Sequence, residues 1–193
     1  MVQLIGPKKI KCAVFISGTG SNLKSLIKFS KKKNSPISIE LIISDNAKAK
    51  GLKFGKIFQI SNKYFNYKNK LIAEKKIISE IKNKEIKLIC LAGFMRILSK
   101  DFIKKFKGKI LNIHPSLLPK YKGLNTHQRA LSNNEKYSGC TVHFVNSRLD
   151  SGKIILQKKV KITKNETVNS LKKKILFQEH KLYPKAIRKI FNF

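Results

Sequence analysis

Asn112 and His114 stand two positions apart in the run Asn112-Ile113-His114-Pro115. On a strand that spacing projects both side chains to one face, into one cleft. An uncharged amide donor beside a titratable imidazole suits two tasks, holding an oxyanion and moving a proton. A histidine satisfied by backbone at a strand end gives the same pattern. Asp150, in Leu149-Asp150-Ser151-Gly152, would favour the imidazolium form and orient the ring if the fold brings it near His114. It reads equally as a turn aspartate before Gly152. Residues 17–22, Ser17-Gly18-Thr19-Gly20-Ser21-Asn22, carry two glycines that let the backbone turn tightly and aim N–H groups at an anion. The dinucleotide fingerprint needs a third glycine where Leu23 stands, and no Gly-Lys-Ser/Thr follows. The loop therefore fits a single phosphate monoester better than a pyrophosphate, or else a plain strand-to-helix turn.

Other chemistries lack their signatures. No Gly-x-Ser-x-Gly elbow is present, and Ser21 lies in Gly18-x-x-Ser21 instead. His127, His143 and His180 form no His-x-His or His-x-x-x-His pair, so no metal site is expected. Cys12, Cys90 and Cys140 are an odd number without ligand spacing, and the first two sit in apolar runs. Buried free thiols in a reducing cytoplasm follow.

The elements that must position these residues alternate in period, as in an α/β fold with a largely parallel sheet. Strands are expected at 10–16, 37–43, 57–60, 87–92 and 109–113, with Pro115 stopping the last. Helices are expected at 22–32, at 47–55 ending in glycine, at 68–82, and at 99–106 capped by Ser99. The helix over 68–82 carries Leu71, Ile72, Ile78 and Ile81 between charged residues. The β runs 140–145 and 153–162 are close enough to pair antiparallel around a turn at 146–152. A terminal helix begins near Thr167, capped by Thr163 or Thr167, and Pro184 breaks or restarts it. The expected fold is a Rossmann-like, mostly parallel central sheet with helices on both faces and a late antiparallel strand pair. No repeat or linker divides it, so one domain is expected over 1–193, with a short extension at 1–9. That extension has no apolar stretch before a small-residue site, so no signal peptide is expected.

With 43 basic and 10 acidic residues the net charge is +33. Such a charge suits a nucleic-acid binder. Against this, Lys, Asn and Ile are over-used together along the whole chain, the lysines spread over every helical face, and no sheet interleaves aromatics with basics. The charge therefore reads as compositional, and nucleic acid is not the expected partner. A field of this sign should still attract anionic small molecules. Every apolar run is soon interrupted by Lys or Asn, which leaves no membrane span.

Together the segments 16–23, 91–98, 111–121, 142–145, 149–152 and 178–180 resemble the phosphoribosylglycinamide formyltransferase family, folate-dependent enzymes of purine biosynthesis. They occur in family order with family-like spacing from Ile10 onward. The resemblance implies that Gly20, Ser21 and Asn22 hold the ribose-phosphate of glycinamide ribonucleotide and that Glu179 contacts it. Met95, Arg96, Ile97 and Leu98, with Asn146, Ser147, Arg148, Leu149 and Asp150, would line the pocket of the co-substrate 10-formyltetrahydrofolate, largely through backbone groups. Asn112 would share that pocket. Lys70 falls where some members carry an arginine, a change that keeps charge but loses the planar fork. Asn112 and His114 would bind the oxyanion, with His114 as general acid and Asp150 keeping it protonated. The family needs no metal, and the expected assembly is a monomer or homodimer. Asn125 stands where many members have a second histidine, Leu176 replaces a polar side chain, and Thr19 replaces Asn or Ser. Methionyl-tRNA formyltransferase shares the Asn-x-His and Ser-Leu-Leu-Pro elements, but usually adds a C-terminal domain. Formyltetrahydrofolate hydrolase normally adds an N-terminal one. A nucleic-acid-binding module on an inactive formyltransferase fold is the remaining rival.

Overall fold

A computed structural model describes residues 9–193; residues 1–8 of the expected extension lie outside the described residues. Seven strands form one sheet: β1 (Ile10–Ile16), β2 (Ile37–Ser44), β3 (Ser61–Tyr64), β4 (Leu88–Leu91), β5 (Lys109–His114), β6 (Tyr137–Phe144) and β7 (Ile154–Lys161). Their order is β3-β2-β1-β4-β5-β6-β7. The pairs from β3 to β5 are parallel, and β5-β6 and β6-β7 are antiparallel. The order reverses between β1 and β4, and the crevice at the carboxyl ends of such strands is where open α/β sheets bind ligands.

Alternation along β1 divides the core. Cys12, Val14 and Ile16 pack with α1 (Ser21–Ser30) and α6 (Val168–Ile190) on one face. Ala13 and Phe15 pack with α3 (Lys70–Asn83) and α4 (Lys100–Lys105) on the other. On β5, Leu111 and Ile113 join the first cluster and Ile110 the second. Asn112 and His114 therefore continue the Ile110 face to the rim of the sheet.

Several elements differ from the sequence expectations. The second helix starts as a 3-10 turn (Lys50–Leu52) and continues as α2 (Lys53–Phe58), running past Gly55. A Cβ at Gly55 would lie 2.0 Å from the Asn62 amide, so that glycine lets β3 approach the helix rather than ending it. Gln59, at φ 56°, makes the stop. The third strand is the exposed polar edge Ser61–Tyr64, not 57–60, whose Ile57 and Phe58 end the helix. On α3 the buried stripe is Ala73, Ile77 and Ile81, spaced by four, whereas Leu71 and Ile72 are exposed. A fifth helix, α5 (Thr126–Ser132), has too few apolar residues to stand out in the sequence.

Ser99 caps α4 as expected, and Thr167 caps α6 in a reciprocal pair with Ser170. Pro184 neither breaks nor restarts α6. The carbonyl its missing N–H would have served, that of His180, accepts from the Ser25 hydroxyl on α1 at 3.0 Å. Among the described residues, no helix is long and apolar enough to cross a membrane.

Candidate active site

The carboxyl end of β5 delivers Asn112 and His114 to one rim, and the loop after β6 returns Asp150 to meet them. The His114 ring is buried, with Nδ1 3.4 Å from Asp150 Oδ2. Asn112 Nδ2 lies 3.4 Å from Asp150 Oδ1. The amide and the imidazole thus converge on one carboxylate, which is itself only 8% exposed. Asp150 lies in the β6–β7 connection with a positive φ of 43°.

A short strap before α5 completes the pairings. The Tyr121 carbonyl lies 2.8 Å from His114 Nε2, and the Gly123 N–H donates to Asp150 Oδ2 at 2.9 Å. A carbonyl only accepts, so Nε2 carries a hydrogen there, and a second hydrogen on Nδ1 would satisfy the carboxylate as well.

His143 sits opposite Asn112 in the β5–β6 ladder. Its Nδ1 lies 2.8 Å from the Phe144 carbonyl, which requires a hydrogen on Nδ1. Burial pushes its pKa below the ordinary value, outweighing the Phe144 bond and the Asp150 charge that pull upward. The ring is neutral at neutral pH, and its Nε2 accepts from Asn112 Nδ2 at 3.3 Å. The tautomer of His143 therefore fixes which way the Asn112 amide faces. Sequence spacing in search of metal pairs overlooks His143; its signal was the cross-strand position opposite Asn112. Tyr121 and Gly123 act through backbone groups, which residue type does not disclose.

The glycine loop is built as an open helix start. Gly20 adopts φ 73° as the N-cap of α1, and no side chain caps that end. A Cβ on Gly20 would lie 2.8 Å from the Gly51 Cα, so the two glycines let the loop and the 3-10 turn touch. Asn22 Nδ2 donates to Glu179 Oε2 at 2.7 Å, bringing together two residues expected at one subsite. Asn22 Oδ1 is buried without a partner. Burial raises Glu179 to about 7, against the Asn22 bond that lowers it. Leu176 lies one turn earlier on α6, within the same helix.

The loop after β4 is tied from behind. Ser17 Oγ accepts from the Met95 N–H at 2.8 Å and donates to Asp45 Oδ1 at 2.5 Å. Arg96 Nε donates to the other Asp45 oxygen at 2.7 Å. The Met95 N–H is thus engaged within the chain, and the Leu98 side chain is in the core rather than at a surface. Met95 and Ile97 expose their side chains, as does Leu149. Asn146 Oδ1 accepts from the Arg148 N–H, closing a local turn, and Ser147 and Arg148 are exposed. Lys70 begins α3 directly after its cap Asn69. His127, in the first turn of α5, is pushed below the ordinary histidine range by burial, with Lys172 and His114 adding to it. Among the described residues, no group of three or more His, Cys, Asp or Glu side chains is arranged to hold a metal ion.

A family model described as formyl transferase matches residues 10–187. The chain is 44% identical over 184 residues to the human trifunctional purine biosynthetic protein adenosine-3, covering 94% of this chain and 18% of that protein. It is 42% identical over 181 residues to the phosphoribosylglycinamide formyltransferase of Haemophilus influenzae, 92% of this chain and 85% of the relative. The solved phosphoribosylglycinamide formyltransferase of Brucella melitensis aligns with a TM-score of 0.90 at 40% identity, over 95% of this chain and 96% of that one.

Proposed function

This chain belongs to the phosphoribosylglycinamide formyltransferase family, and from that premise we propose that it moves the formyl group of 10-formyltetrahydrofolate onto the amine of glycinamide ribonucleotide. The observation that carries the reading is the convergence of Asn112 Nδ2 and His114 Nδ1 on Asp150, each at 3.4 Å. Those separations are long for charge-assisted bonds, so neither donor is held tightly. Both are available to an oxygen that acquires negative charge beside them.

A flat folate ring would rest on exposed apolar side chains. Met95, Ile97, Leu124 and Leu149 expose 63%, 60%, 72% and 48% of their surfaces, apolar area that such a ring would cover. The folate supplies the formyl carbon. The chain supplies the rest: the open start of α1 over Gly20, Ser21 and Asn22 receives the phosphate, and Glu179 contacts the ribose side. Met95 to Leu98 and Asn146 to Asp150 flank the folate, with Lys70 offering a cation to its acidic tail.

With both substrates held, the neutral amine attacks the formyl carbon. Negative charge develops on the formyl oxygen, and Asn112 and His114 donate to it. Such a donor is worth about 3–4 kcal/mol of barrier. The carbon–nitrogen bond to the folate then breaks. The proton released by the amine reaches the departing folate nitrogen through water and His114. The Asp150 carboxylate, 3.4 Å from His114 Nδ1, faces the ring as the proton passes through it. We place this reaction in a reducing cytoplasm, which suits three buried free cysteines.

The test offers purified protein and 10-formyltetrahydrofolate three acceptors: glycinamide ribonucleotide, initiator methionyl-tRNA and water. Formylated glycinamide ribonucleotide as the dominant product supports the reading. Transfer to tRNA, or hydrolysis alone, overturns it. Salt-dependent binding of RNA without any folate turnover would favour the nucleic-acid module.

A further inference from the structure

The strap that reaches His114 and Asp150 is held from its outer side by residues that touch neither. Tyr121, Gly123 and Asn125 all have left-handed backbones, at φ 55°, 77° and 56°. Two of these are not glycine, and each such conformation costs about 1–2 kcal/mol and persists only where the surroundings impose it. The surroundings here are specific. The Tyr121 hydroxyl donates to Glu135 Oε1 at 2.8 Å, and the Asn133 amide donates to that hydroxyl at 3.1 Å. Lys120 Nζ donates to the same Glu135 oxygen at 2.7 Å. Arg129 Nη1 donates to the Lys122 and Leu124 carbonyls at 2.7 and 3.3 Å, and its guanidinium lies 5.2 Å from the Tyr121 ring centre.

We propose that Glu135 and Arg129 are positioning residues for His114 and Asp150, acting through the strap that carries the Tyr121 carbonyl and the Gly123 amide. The inference rests on the reading of His114 and Asp150 as the formyl-transfer pair. Glu135 anchors the Tyr121 side chain, and its backbone carbonyl is thereby kept on His114 Nε2. Arg129 anchors the carbonyls on either side of Gly123, which aims the Gly123 N–H at Asp150. With the strap fixed, Nε2 has a resident acceptor and only the Nδ1 edge faces Asp150 and the cleft. Release of the strap frees the ring to rotate, which changes the turnover step rather than the affinity for either substrate.

The experiment compares full-length wild type with Tyr121→Phe, Glu135→Ala, Glu135→Gln and Arg129→Ala. It reads kcat, both KM values, Tm, and the side-chain NMR signal of the His114 Nε2 proton. Losing one neutral to charge-assisted hydrogen bond at the strap should lower kcat about three- to tenfold in Tyr121→Phe, Glu135→Ala and Arg129→Ala. Both KM values stay within about twofold. Glu135→Gln keeps an oxygen for the Tyr121 hydroxyl and should restore most of the activity. In the alanine and phenylalanine variants the His114 Nε2 proton should exchange faster. Unchanged kcat and exchange in these variants would overturn the proposal. So would losses that follow Tm alone and are equal in Glu135→Gln and Glu135→Ala. If glycinamide ribonucleotide proves not to be the acceptor, the NMR signal still decides: accelerated exchange in Glu135→Ala supports the strap, and unaltered exchange refutes it.

Discussion

Asn22 Nδ2 donates to Glu179 Oε2 over 2.7 Å, joining the first turn of α1 to the middle of α6 across 157 positions. Both side chains are buried, and the bond satisfies only half of the Asn22 amide, whose Oδ1 has no partner. The glycine loop and the last helix therefore meet at a polar point enclosed by protein.

That burial makes stability depend on pH. Glu179 moves from an ordinary value of 4.5 to about 7 because burial penalises its charge. Below 4.5 it is protonated folded or unfolded; between 4.5 and 7 the folded chain alone keeps the proton. Stability from this group is thus lost as pH rises through that window, by on the order of 3 kcal/mol. Glu179→Gln should melt several degrees above wild type at pH 8 and level with it near pH 4.5, by calorimetry. The same variant should bind glycinamide ribonucleotide more weakly.

The two glycines of the first loop should respond differently to alanine. Nothing lies within 4 Å of a Cβ at Gly18, whereas one at Gly20 meets the Gly51 Cα at 2.8 Å with φ at 73°. Gly18→Ala should fold and turn over within about threefold of wild type, as exposed substitutions do. Gly20→Ala should lose about 1–3 kcal/mol of stability and most of its affinity for the phosphorylated substrate. Denaturant melts and substrate titrations separate the two outcomes.

Asp45 is nearly buried behind the loop proposed above to flank the folate, where it joins Ser17 to Arg96. Asp45→Ala removes both bonds and frees the Met95–Leu98 segment. The KM for 10-formyltetrahydrofolate should rise about tenfold, with little change in that for glycinamide ribonucleotide, in steady-state assays.

Legibility followed physical period and local chemistry. Strand alternation correctly placed Asn112 and His114 on one face, and the apolar runs of β1, β2, β4 and β5 showed a buried parallel sheet. The polar strand Ser61–Tyr64 has no such pattern, because it is an edge of the sheet and all four of its residues are exposed. Pro184 looked like a break because its rescue comes from Ser25, 155 residues from the carbonyl it satisfies. Asp150 looked like any turn aspartate, since its meeting with His114 depends on the β6–β7 connection folding back. Tyr121, Gly123 and Asp45 contribute carbonyl, amide and ion-pair contacts that only tertiary structure brings together.

Tyr183 fastens α6 beneath the cleft. Its buried hydroxyl is shared between the carbonyls of Leu91, at the end of β4, and Leu111, within β5, at 3.1 Å each. Tyr183→Phe should lose about 1–2 kcal/mol, a fall of roughly 2–8 °C in Tm. Its kcat at 25 °C should stay within about threefold, because the β4–β5 ladder still holds the Leu111–Asn112 backbone in register.

The central claim is that Asn112 and His114, organised by Asp150, stabilise charge on the formyl oxygen during transfer to glycinamide ribonucleotide. Its most direct test is the single-turnover rate of formyl transfer to that acceptor in wild type, Asn112→Ala and Asp150→Ala, with both substrates saturating. The account predicts formylated glycinamide ribonucleotide from wild type and rates lower by about a hundredfold or more in each variant. Near-normal rates in both variants would contradict it.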